Sequence, residues 1–230
     1  MFTPALASCA GACEDSQLKK VLVIGGSRGI GLEVVSAALT SDMQVVAFAR
    51  HAESIPLTHK LLSMQNGDAQ DPADLRSALE GVDAVVLSLG VPMNLRLLTG
   101  PISLFSATTR ILSPAMKQAG VRRLIAVTGF GAGRSQEAIA PWQRIGFNLV
   151  FGRAYADKSI QEEMIEQSEL DWTIVRPGIL TNGASHQNYR VLQAQHEWSN
   201  GIVSRRSVAD FIVHCLQADT YLHAAPVIVR

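Results

Sequence analysis

The residues best suited to chemistry form a glycine-rich turn, Gly25-Gly26-Ser27-Arg28-Gly29-Ile30-Gly31, placed directly after the apolar run Val21-Leu22-Val23-Ile24. A helical pattern opens at Ile30, so the turn joins a strand to a helix, the context in which such a motif carries meaning. Gly25 suits a tight strand-to-helix turn, Gly29 a close approach of backbone to a ligand, and Gly31 close packing of helix on strand. Backbone N–H groups at a helix start face an anion and are helped by the helix dipole. The chemistry this predicts is binding of the pyrophosphate of a dinucleotide; a purely structural turn is the alternative.

About 20 residues beyond such a turn, an acid would bond the ribose 2′-hydroxyl of NAD, and a basic residue would accept a 2′-phosphate. Arg50 stands there, at the end of Val45-Val46-Ala47-Phe48-Ala49, and no acid follows until Glu53. Arg28 inside the turn offers a second charge-assisted donor, so NADP(H) is favoured over NAD(H). Asp68, after Gly67, is a candidate for the adenine amino group or an ordinary turn aspartate. Ser88-Leu89-Gly90 supplies small residues where backbone must run close to the cofactor.

The elements that would position these groups alternate along the chain. Val21 to Ile24, Val45 to Ala49, Ala84 to Leu89, Leu124 to Val127 and Trp172 to Val175 are short and continuously apolar, as strands buried on both faces must be. Ile30 to Leu39, Asp74 to Leu79, Ser103 to Gln118 and Tyr155 to Gln167 carry helical spacing. This alternation predicts the α/β class: a single-domain, doubly wound, mostly parallel Rossmann sheet flanked by helices, over residues 19–230. Asp71-Pro72 signals a helix start, and Gly81 and Gly120 sit at expected helix ends. Residues 178–203 lack clear periodicity and read as a substrate-side excursion; residues 1–18 read as a flexible extension.

Composition narrows the function classes. Twenty basic and twenty acidic residues cancel, so no global field would draw the chain to nucleic acid or to an anionic membrane. No apolar run approaches the ~18 residues of a spanning helix, and the opening residues lack the basic start of a signal peptide. Cys9, Cys13 and Cys215 form neither a disulfide framework nor a metal-ligand set, which suits a reducing, cytoplasmic setting and predicts no metal. The expected partner is a small molecule; the residues do not distinguish a monomer from a homo-oligomer.

The glycine spacing resembles the G-x-x-x-G-x-G turn of short-chain dehydrogenase/reductases. With Leu170-Asp171-Trp172-Thr173-Ile174-Val175-Arg176-Pro177-Gly178 and Val203-Ser204-Arg205-Arg206-Ser207-Val208-Ala209, the chain resembles their atypical NAD(P)H-binding branch, which includes NmrA-like regulators and biliverdin- or flavin-reductase-like enzymes. In the wider superfamily a Ser or Thr after the fifth strand and a Tyr-x-x-x-Lys on the next helix carry hydride chemistry. The resemblance therefore implies Thr128, Tyr155 and Lys158 as catalytic candidates, with Thr128 and Lys158 also on the cofactor, although Tyr155-Ala156-Asp157-Lys158 is one residue short. Residues three apart still share a helix face. For Tyr155 three roles stay open: proton donor, pocket wall, or buried aromatic. The resemblance also implies that Pro177 and Gly178 bring backbone beside the nicotinamide. Arg176 is read as such a group or as half of a structural ion pair, and Arg205 and Asp210 as structural members of their pattern. Tyr189, His186, His196 and Trp198 lie in the segment expected to overhang a substrate. The function implied is an NADPH-dependent reductase of a quinone, flavin or carbonyl compound. A non-catalytic NADP(H)-binding regulator is the alternative, and an epimerase of a sugar nucleotide a weaker one.

Overall fold

A strand with an unbroken apolar run has two faces to bury, and the first strand shows how. In β1 (Lys20–Ile24), Val21 and Val23 enter one hydrophobic cluster while Leu22 and Ile24 enter the other. Alternation across the strand thus demands a helical layer on each side of the sheet. The computed structural model describes residues 19–91, 102–138, 141–185 and 188–230. The predicted extension, with Cys9 and Cys13, and His186 lie outside the described residues.

The remaining strands are β2 (Gln44–Ala49), β3 (Leu62–Asn66), β4 (Ala84–Leu87), β5 (Arg123–Val127), β6 (Asp171–Pro177), β7 (Ile179–Thr181), β8 (Arg190–Leu192), β9 (Ile202–Ser204) and β10 (Val227–Val229). Eight form one sheet in the order β3-β2-β1-β4-β5-β6-β10-β8, and β7 pairs with β9 apart from it. Neighbours from β3 through β10 run parallel, and only the edge strand β8 is antiparallel. The order reverses between β1 and β4, which places a crevice at the carboxyl ends of those strands, where doubly wound sheets bind ligands.

Helices α1 (Gly29–Thr40) and α5 (Arg205–Ala218) cover one face, α1 burying Val34, Val35 and Ala38 against Val45 and Ala47 of β2. On the other face lie α2 (Pro72–Ala78), α3 (Leu104–Gln118) and α4 (Pro141–Glu166). There Leu75, Leu112, Met116 and Ile165 pack on Leu22, Val85 and Leu124. The capping signals act as expected: the Asp71 carboxylate accepts from the N–H groups of Ala73 and Asp74, and Gly81 and Gly120 take positive φ.

Two expectations are revised. The helix carrying Tyr155 starts at Pro141, not at Tyr155. The segment 178–203 is more ordered than its polar composition implies, holding β7, β8 and most of β9 in three-residue strands too short to show a period of two.

Candidate active site

A groove of about 620 Å³ opens along the carboxyl ends of β1, β2, β4, β5 and β6. Gly25, Ser27, Arg28, Gly29 and Ile30 line it from the turn, Arg50 and Asp68 from the ends of β2 and β3, and Ser88, Leu89 and Gly90 from the end of β4. Thr128, Lys158 and Pro177 complete the expected set, joined by Leu180 and Arg205. This volume lies within the ~300–1,000 Å³ usual for a small-molecule site.

The turn's geometry separates the jobs of its glycines. Gly25 has φ +88°, and a Cβ on it would lie 2.4 Å from the Ser88 carbonyl oxygen; a Cβ on Gly31 would lie 2.1 Å from the Gly25 carbonyl oxygen. These two hold the turn shut against its own backbone. Gly29 has φ +61° and nothing within 4 Å of a built Cβ, so its Cα faces open groove. Gly26 and Gly31 do not line the groove: Gly26 is packed under it against Val35 and Ala47. Arg28 immediately precedes α1, and its side chain makes no cap bond. The first-turn N–H groups, which have no intrahelical acceptor, thus face the groove. The cradle fits a pyrophosphate, and the exposed Arg28 and Arg50 line the same groove beside it. The Asp68 carboxylate accepts from the Gln70 N–H at 2.9 Å, so it shapes its own turn while lining the groove.

At the other end, the Lys158 ammonium donates to the Thr128 carbonyl at 2.5 Å. It lies 5.0 Å from the Phe105 ring centre and 5.5 Å from that of Tyr155. Desolvation pushes its pKa down to about 8, against an opposing pull from the Glu162 carboxylate. The one-residue-short spacing therefore still sets Tyr155 and Lys158 together. Tyr155 itself is not among the groove-lining residues. Its hydroxyl lies against Gly129, where a Cβ would be 2.6 Å away, and burial followed by the nearby Glu162 charge raises its pKa. The side chain is half-buried, with its hydroxyl against Gly129 and outside the groove lining.

Thr128 lines the groove, but its hydroxyl donates to Glu162 Oε1 at 2.6 Å. Glu162 is 1% exposed and also accepts from Arg176, Nε to Oε1 at 3.1 Å and a terminal nitrogen to Oε2 at 2.7 Å. Arg176 is thus half of a buried ion pair. A charge so buried is retained only when paired and fully bonded, and Glu162 was not singled out from sequence because an acid in Gln161-Glu162-Glu163 looks like a solvated helix face. The available signal was its position one turn after Lys158.

Several expectations are corrected. Gly178 does not line the groove; a Cβ there would lie 2.3 Å from the Gly201 carbonyl oxygen, so the glycine is needed for backbone packing. Tyr189 packs edge-on to Phe211, the Arg176 guanidinium lies over the Trp198 ring at 4.9 Å from its centre, and His196 is exposed in a short turn; none of Tyr189, Trp198 and His196 lines the groove. Arg205, read as a structural residue, lines the groove and donates to Asn182 Oδ1 at 2.5 Å, while Asp210 accepts from Ser185. Cys215 is buried and its thiol pKa is pushed up to about 11. Among the described residues no helix is long and apolar enough to cross a membrane.

Residues 25–219 match the model of a protein family described as NAD(P)H-binding. The chain is 27% identical over 221 residues to an uncharacterized chloroplastic protein of Arabidopsis thaliana, covering 92% of this chain and 77% of that one. Among solved structures, ChuY, an anaerobillin reductase from Escherichia coli O157:H7, aligns with a TM-score of 0.76 and 24% identity over 92% of this chain and 97% of that one. A short-chain dehydrogenase/reductase from Veillonella parvula in complex with NADP gives 0.78 and 19% over 93% and 95%. A Rossmann-fold NAD(P)-binding family protein from Shigella flexneri gives 0.69 and 25% over 93% and 94%.

Proposed function

The chain belongs to the NAD(P)H-binding family, and within it we propose an NADPH-dependent reductase that delivers hydride to a small organic acceptor such as a quinone, flavin or carbonyl compound. The observation that carries this reading is the unbroken groove, with two exposed arginines at the turn end and Lys158 beside the apolar Leu89, Val91 and Leu104 at the other. NADPH, when bound, supplies the hydride. The protein's part is to bind and orient. The N–H groups of the turn take the pyrophosphate, Arg28 and Arg50 the 2′-phosphate, Asp68 borders the adenine end, and Ser88, Leu89 and Gly90 form the floor.

At the reactive end Lys158 holds the nicotinamide ribose, its ammonium fixed by the Thr128 carbonyl. Pro177 and Leu180 wall the far side. Thr128 acts through its backbone, because its hydroxyl proton is committed to Glu162. Tyr155 supports Gly129 from beneath, so the proton that accompanies hydride comes from solvent or from the Lys158 ammonium, whose pKa near 8 suits exchange at neutral pH. The similarity of the fold to ChuY and to the NADP-bound Veillonella protein supports the same reading. No nucleic acid or membrane enters it.

The commitment of the Thr128 hydroxyl to Glu162, with Tyr155 outside the groove lining, favours one other reading, a regulator that binds NADP(H) without turning it over. Incubation with NADPH and a panel of quinones, flavins and aldehydes separates the two. Oxidation of NADPH with at least one acceptor, faster than that of NADH, is expected of the reductase; tight NADPH binding with no oxidation would establish the regulator.

A further inference from the structure

Resting on the reductase reading, we propose that Arg205 recognises an anionic group on the acceptor, so that the preferred substrates carry a carboxylate, sulfonate or phosphate. Arg205 opens α5 and lines the groove together with Pro177 and Leu180. Its terminal nitrogen is held by Asn182 Oδ1 at 2.5 Å, a neutral acceptor that orients the guanidinium without neutralising it. Among the described residues it makes no ion pair. The nearby acids are engaged elsewhere: Glu33 with Arg206 at 3.3 Å, and Asp210 with the Ser185 hydroxyl. A half-buried, oriented and uncompensated cation on a groove wall is a site for an anion.

The position selects the acceptor over the cofactor. Arg28 and Arg50 stand at the ends of β1 and β2, and the turn N–H groups already suit the pyrophosphate. Pro177 ends β6, three places from β1 in the order β1-β4-β5-β6, or about 14 Å across the sheet at the usual strand spacing. β7 begins two residues after Pro177, Asn182 directly follows it, and its partner β9 leads into Arg205. Lys158 reaches the groove from a helix on the opposite face of the sheet. An acceptor seated there meets Arg205 on one wall and Lys158 on the other.

The test uses acceptor pairs that differ by one anionic group: FMN with riboflavin, and a naphthoquinone sulfonate with the parent naphthoquinone. Binding of each flavin to NADP⁺-saturated protein is read by fluorescence quenching, and turnover by NADPH oxidation. Wild type is expected to prefer the charged member in both. Arg205→Gln lowers the charged-to-neutral ratio of kcat/KM by about tenfold, Arg205→Lys recovers part of it, and the dissociation constant of NADPH moves by less than about twofold. Equal affinity of the wild type for FMN and riboflavin overturns the inference, as does a ratio that Arg205→Gln leaves unchanged. A loss that appears in NADPH affinity instead assigns Arg205 to the cofactor and overturns it too. Preferential FMN binding without oxidation of NADPH by any acceptor would sustain the anion site while removing the reductase reading.

Discussion

Alanine at two glycines of the turn should produce opposite phenotypes. At Gly31 the added methyl would lie 2.1 Å from the Gly25 carbonyl oxygen and 2.8 Å from its carbon. Both are backbone atoms, so relief requires α1 to move off β1 by roughly an ångström through a packed interface, an overpacking cost of about 3 kcal/mol. At Gly29 the methyl meets nothing within 4 Å, and the penalty is that of φ +61° for an L-residue, about 1 kcal/mol. In urea, with a slope of about 3 kcal/mol/M for a chain of this size, the midpoint should fall by about 1 M for Gly31→Ala and by about 0.3 M for Gly29→Ala. NADPH affinity should behave the other way. Gly29→Ala, still folded, points its methyl into the space assigned to the pyrophosphate and should weaken binding by about tenfold or more. Circular dichroism in urea and fluorescence titration of NADPH check both. A Gly31→Ala protein with a wild-type midpoint, or a Gly29→Ala protein with wild-type affinity, would refute the division of roles between packing and ligand approach.

Reversing charge at Arg28 and Arg50 together should cost NADPH about 2–3 kcal/mol of affinity, or about 100-fold, while NADH changes far less, as paired titrations would show. The Lys158 pKa, pushed down to about 8 from 10.5 by burial, sets a pH dependence. Between those two values the unfolded chain binds more protons than the folded one, so stability rises with pH across that window. Lys158→Met should lack this rise in urea midpoints measured from pH ~7.5 to ~10, and NADPH binding by the wild type should weaken as the pH passes about 8. Glu162→Gln leaves Arg176 buried without a counter-charge and should destabilise by about 3 kcal/mol, whereas the double change with Arg176→Met recovers most of the loss. Tyr155→Phe should alter kcat by less than about threefold, because the hydroxyl lies against Gly129 and not in the groove.

What the chain discloses before folding follows from how many constraints a residue obeys. The strands β1, β2, β4, β5 and β6 are covered on both faces and so each holds an unbroken apolar run, with polar residues at the starts of β1, β2, β5 and β6 and, in β6, also at Thr173 and Arg176; two-sided burial is what demands such runs. Edge strand β3, Leu-Ser-Met-Gln-Asn, is largely exposed and carries no such signature. The glycine turn was legible because two of its glycines have no room for a Cβ and a third takes positive φ in open space. Gly178 presents the same letter for an unrelated reason, contact with Gly201, and so misleads about the groove. Pro177 reaches the groove from the end of β6, and Lys158 from within α4, on a face whose phase was readable. Glu162 and Arg205 escaped because a charged residue on a helix looks the same whether it faces water, a buried arginine or a ligand; only tertiary contacts distinguish these.

The central claim is that the groove delivers hydride from NADPH to an acceptor. It is tested most directly by mixing protein saturated with NADPH, carrying deuterium on one or the other face of the reactive nicotinamide carbon, with the acceptor panel and following oxidation in a single turnover. The account predicts protein-dependent oxidation with a primary isotope effect from one face only, lost in Lys158→Met. Bound NADPH that persists unoxidised in the presence of every acceptor would contradict it.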